Sequence, residues 1–207
     1  MRLVNFVDPA PIAVKALVTG QWHSRGDGKT GLMPYTASTS RLRAGTEIDP
    51  QRLDHPVLSA VKAYWDERRG TRLMPSRAEI DPVALKEHLG WILMLDVLED
   101  CSDFRFRLIG TKVTHYFFTD ATGQTITEAF DRFGPAAVNG VLAVHRKTAR
   151  DCVPVRAFGD AGWLGQRYYE FDAIYLPLSD DGVTANKILS VFTFDHKRVA
   201  AKRDSAL

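Results

Sequence analysis

Between residues 103 and 111 the chain reads DFRFRLIGT, with Phe104, Phe106 and Leu108 alternating with Arg105 and Arg107. A period of two places the three apolar side chains on one face of a β-strand and the guanidinium groups on the other. The run just before it, WILMLDVLE, is apolar, of strand length, and ends in acidic residues. With EDCSD as the turn, the two runs form an antiparallel hairpin. Further upstream, DHPVLSAVKAYWDERRG spaces Val57, Leu58, Val61, Tyr64 and Trp65 as one side of a helix over residues 54–69, with Pro56 in the first turn and Gly70 just past the end. A second, short helix is predicted in DPVALKEHL, where Asp81 is the cap and Pro82 the first helical residue.

After Thr111 the periodicity becomes helical in short pieces, TKVTHYFF and TITEAF, separated by a turn at TDATGQ that contains Gly123. A longer helix follows in PAAVNGVLAVHRKTAR, with Val138, Val141, Leu142 and His145 along one side. Three strand-like runs close the pattern: CVPVRAF, RYYEFDAIYLPL and NKILSVFTF. The last two are joined by SDDGVTA, in which Asp181 and Gly182 are hairpin-turn residues. Strands therefore come in two antiparallel groups separated by helices, the order of an α+β domain rather than of an alternating parallel sheet. Residues 1–50 carry no such period and are rich in Gly, Ser, Thr and Pro, so they are expected to be a flexible arm. The domain is expected over 51–197 and a polar, basic tail over 198–207.

Composition narrows the partners. Against 27 basic residues stand 25 acidic ones, a net charge of +2, which supplies no general pull toward nucleic acid or anionic lipid. FRFRL lacks the glycines of an RNA-binding aromatic strand, and Glu99, Asp100 and Asp103 beside it would repel phosphate. No stretch approaches the length of a membrane span, and the start is not a signal peptide, so a cytoplasmic protein with two reduced cysteines, Cys101 and Cys152, is expected. GDGKT in the arm falls short of a phosphate loop, because His23 stands where the pattern requires glycine.

The motifs taken together resemble one family. LMPSRAEIDPVALKEHL (with Leu73, Pro75, Arg77, Asp81 and Pro82), LDV at 95–97, DFRFRLIGT (with Arg107, Gly110 and Thr111), Thr122-Gly123 and LPLSDDG at 176–182 occur in the order seen in a group of small bacterial PAS-type proteins of about this length and of unknown function. The resemblance spans about residues 54–195. It implies a five-stranded antiparallel sheet with short helices on one face, an N-terminal flanking helix, and a small-molecule cavity between sheet and helices. It also implies a homodimer made through the other face or the flanking helix. The function so implied is a stand-alone sensory or regulatory module that binds a small ligand or a signalling protein, with no fused output domain.

Within such a fold the ligand face would consist of Phe104, Phe106, Leu108, His115, Phe117, Phe118, Phe171 and Phe192. The same rings would otherwise simply fill the core. Should the interior be full, the flanking helix would serve as an adaptor surface, offering Tyr64 and Trp65 to a partner. His115 stands on a helix where some haem-binding PAS domains carry a ligand, although a lone histidine there is more often packed or solvent-facing. Covalent flavin chemistry is not expected, since neither cysteine lies in a helix facing the interior. Pro75, Arg77, Asp81, Arg107, Gly110, Gly123, Asp181 and Gly182 are structural, with Arg107 expected to pair with Glu170 or Asp172 across the sheet. A small isomerase- or dehydratase-type enzyme on a curved sheet is the alternative, and it requires Asp96, His115 or Asp172 to point inward as the base.

Overall fold

The computed structural model describes residues 43–45, 53, 55–117, 119–164, 166 and 168–196. Helix α1 (Pro56–Arg69) starts where the His55 imidazole accepts the Val57 N–H, and ends at Gly70, whose φ of +54° suits a residue without a side chain. Its side facing the protein is Leu58, Val61 and Trp65, all fully buried. The expected helix in DPVALKEHL does not form. Residues 82–88 are turns held by bonds from the amides of Lys86 and His88 to the carbonyls three residues back, at 3.3 and 2.8 Å. Val83 and Ala84 are exposed and only Leu85 is buried, so there is no apolar stripe to hold a helix down. Asp81 accordingly accepts the Val83 N–H at 2.8 Å as a local turn rather than as a cap.

The strands are β1 (Arg43–Gly45), β2 (Ile92–Val97), β3 (Phe104–Ile109), β4 (Val155–Asp160), β5 (Tyr169–Leu178) and β6 (Lys187–His196). They pair antiparallel in the order β1-β4-β5-β6-β2-β3. Strands β2 to β6 make the expected five-stranded sheet. β1 lies within the segment read as an arm and adds a sixth, three-residue strand along β4. A strand this short carries no legible period of two, which is why composition alone dominated the reading there.

Between β3 and β4 the chain crosses over through α2 (Thr111–Phe117), α3 (Ile126–Phe130) and α4 (Pro135–Asp151). Thr125 and Glu128 form a reciprocal cap at the start of α3. α4 packs on β4, β5 and β6, and α1 packs on β5 and β6. β5 outruns β4, whose last partner on that side is Tyr175. The Pro177 carbonyl beyond it is satisfied by the Trp65 indole N–H at 3.0 Å, and proline has no N–H to leave unpaired. Trp65 is thus part of the sheet's own closure, with no exposed surface to offer a partner, and the half-buried Tyr64 donates to the Glu79 carbonyl. Among the described residues no helix is long and apolar enough to cross a membrane.

Candidate functional site

Register assigns the paired residues of β2 to β6 to faces. Pairing of Tyr175 with Ser190, Ser190 with Leu93, and Leu95 with Phe106 puts these side chains together on the face toward α2, α3 and α4. On this inner face no strand position of β2 to β6 holds Asp, Glu, Lys or Arg. Charged residues take the alternate positions: Asp96, Arg105, Arg156, Asp172 and Lys187 all belong to the outer face.

The inner face is a lattice of rings. Phe117, supplied by α2, meets Phe130 at 5.9 Å, Phe192 at 5.8 Å and Phe194 at 6.2 Å, each edge to face. Phe106 reaches Phe130 at 6.4 Å, and Phe171 stacks near Phe192 at 6.2 Å. At one end Tyr116 stacks on Phe194 at 4.2 Å and touches Tyr169, itself 4.3 Å from His196. Offset and edge-on contacts of this kind each stabilise by roughly 0.5–1.5 kcal/mol beyond burial.

At the other end the lattice turns polar. His145, on the buried side of α4, lies 5.2 Å from the Phe104 ring and 4.9 Å from the Tyr175 ring. Its Nδ1 is 2.8 Å from the Val141 carbonyl, which can only accept, so Nδ1 carries the proton and Nε2 keeps a lone pair. Burial drives the imidazole down to about 4, and neither that bond nor the negative charge of Asp103 offsets it. Burial also pushes the Tyr175 phenol far up, with the charge of Asp172 adding to the effect. Beside Tyr175 on the next strand is Ser190, fully buried, whose hydroxyl has no hydrogen-bond partner. At neutral pH the three groups are therefore uncharged.

Of the residues expected on the ligand face, Phe104, Phe106, Phe117, Phe171 and Phe192 do come together in the buried interior. Leu108 does not. Leu95 pairs with Phe106 and Met94 with Leu108, which leaves Arg107 as an extra residue, a β-bulge. The slip turns Leu108 to the outer face, where it is 42% exposed. His115 is exposed on α2, edge-on to Tyr116 at 5.4 Å, and so does not fit a haem bound in the interior. Phe118 lies outside the described residues. Cys101 sits in the β2–β3 turn and Cys152 at the end of α4, both half-buried. Among the described residues no three His, Cys, Asp or Glu side chains gather as a metal site.

The residues read as structural hold turns and crossings. Pro75 accepts the Ser179 N–H at 3.0 Å, and Arg77 donates to the Ile80 carbonyl at 3.0 Å. A Cβ on Gly110 would stand 2.3 Å from the carbonyl oxygens of Leu89 and Gly90, so only glycine fits this crossing. Gly123, at φ +88°, donates to the Phe106 carbonyl at 2.8 Å and covers the edge of β3. Asp181 accepts from the amides of Val183 and Thr184 and from the Ser179 hydroxyl, which hold its carboxyl far below the usual range, while Gly182 beside it has φ +77°. Arg107 pairs with Asp96, not with Glu170 or Asp172, because β3 neighbours β2 and lies three places from β5. Asp96 is shared with Lys187 at 2.6 Å, and Asp172 is held by Arg156 at 2.6 and 2.9 Å. Asp96, Asp172 and His115, the bases that the enzyme reading required inside, are thus on the outer face or exposed.

The sequence reading placed His145 only along one side of its helix and passed over Tyr175 and Ser190. A serine and a tyrosine in the apolar runs NKILSVFTF and RYYEFDAIYLPL were the available signal. In the comparison with family models, the PAS domain model matches residues 53–193. No curated protein and no solved structure matches the chain.

Proposed function

This chain belongs to the PAS domain family, and we propose that it acts as a sensory module whose signal is a small molecule held between the inner face of the sheet and helices α2 to α4. The carrying observation is the unpartnered Ser190 hydroxyl, fully buried in an apolar interior beside Tyr175. A buried hydroxyl without a partner costs about 1–3 kcal/mol, and a ligand that supplies the bond recovers that cost. The shortness of the helices opposite supports this reading: α2 has seven residues and α3 five, too short to be stable apart from the rings they pack with.

Signalling follows as a population shift. Phe117 touches three other rings, so an occupant that displaces it repositions α2 against Phe130, Phe192 and Phe194. A ligand that binds one arrangement more tightly by about 1–3 kcal/mol changes which surface is offered by roughly 5- to 150-fold. β5 and β6 carry the shift to α1, which is tied to Pro177 by Trp65. Two copies joined through the outer side of the module would deliver it to a signalling partner.

Native mass spectrometry of the protein from its own cells tests this. A retained small molecule on a two-chain species is the expected result. A bare chain whose melting temperature is unmoved by any fraction of a metabolite extract would overturn the ligand reading.

A further inference from the structure

We propose that the polar end of the inner face, built by His145, Tyr175 and Ser190, selects a neutral, flat aromatic molecule that carries a hydroxyl or ring N–H. The inference rests on the ligand reading above and adds the chemical class. Three observations lead to it. First, the side chains around these polar groups are rings, with Phe104 at 5.2 Å from the imidazole and Phe192 at 5.6 Å from the Tyr175 ring, so a guest entering among them would meet ring faces and edges, which suit a planar aromatic. Second, the polar groups have complementary roles. Nδ1 of His145 is committed to Val141, so Nε2 presents a lone pair, while the phenol and the Ser190 hydroxyl each have a proton to donate. A guest hydroxyl would donate to Nε2 and accept from one of the two hydroxyls.

Third, formal charge is kept off the inner strand positions, and the charge that reaches this end is the negative one of Asp103, which acts on the His145 imidazole. The inner strand positions hold no acid or base of full charge, and the cations Arg107, Lys187 and Arg156 are spent on Asp96 and Asp172 on the opposite face. A carboxylate or phosphate would enter without a counter-ion and against the negative charge of Asp103, and an ammonium would give up its hydration among rings, each at a cost of several kcal/mol. The asymmetry therefore rejects ions more strongly than it selects among neutral rings.

Isothermal titration of the full chain with phenol and indole, against benzoate and benzylammonium as charged probes and toluene as the apolar one, reads the selection. Phenol or indole should bind at least about tenfold more tightly than the other three. Of Tyr175→Phe and Ser190→Ala, which remove only oxygen atoms, the one that deletes the donor to the guest should weaken phenol by about tenfold, the worth of one hydrogen bond. Far-ultraviolet circular dichroism and an unchanged melting cooperativity check that both variants fold. Benzoate binding as tightly as phenol, or phenol affinity unchanged in both variants, would overturn the inference. Should native mass spectrometry find a charged molecule retained, the ligand reading stands and the selection falls. If no molecule is retained and none of the probes binds, both fall.

Discussion

The two faces of the sheet satisfy their polar groups in opposite ways. On the outer face Asp96 is gripped by both Arg107 and Lys187, Arg156 meets Asp172 twice, and α1 covers the aliphatic centre around Leu176, Leu189 and Val191. On the inner face the polar groups are few and uncharged, and Ser190 is left without a partner. The outer face is thus satisfied by its own residues, while the inner one retains the unused bonding capacity of Ser190. In the proposed sensor the inner face would receive the ligand, and the outer side, through α1, would pass the change on.

The comparison breaks most severely at Phe106, 2% exposed in the lattice. Phe106→Ala should destabilise the fold by about 3–5 kcal/mol in urea melts. A loss under about 1 kcal/mol would mean that the inner rings are not the packed core. Next is pH. The unfolded imidazole of His145 takes its proton near the ordinary value of 6.5 and the folded one only near 4. Its folded value is depressed, so the unfolded chain holds more protons between those limits and stability falls as pH drops through that window, by about 3 kcal/mol at pH 4. His145→Leu should flatten this limb in denaturation midpoints measured from pH 7 to pH 4. The smallest effect belongs to the outer face. Burial works against the ionised Asp96 carboxyl, but the bonds and charges of Lys187 and Arg107 win and hold its pKa below the usual range. Asp96→Asn should cost about 1 kcal/mol at low salt and less in molar salt, as a half-exposed ion network does. A salt-independent loss would indicate that the carboxylate acts through packing rather than charge.

Much of this was legible before any coordinates. The alternation in FRFRL put Phe104 and Phe106 inside and Arg105 and Arg107 out, as found, because a half-buried strand imposes that period on its sequence. Leu108 escaped the rule through a bulge, and nothing local distinguishes a bulged strand from a regular one. Residues 82–88 had a cap and a proline but lacked the buried stripe that would have made a helix worthwhile. Trp65 read as part of an apolar helix side, or as a partner contact should the interior be full, and Pro177, 112 residues away, decides for the first by accepting its N–H.

What the amino-acid order by itself determined is the succession of elements and the face of most strand residues, since turn chemistry and periodicity act within a few residues. The meeting of His145, Tyr175 and Ser190 was decided only in three dimensions. It depends on which strands become neighbours and on how α4 lies across them, and register and helix docking are settled by burial of the whole core rather than by any one segment.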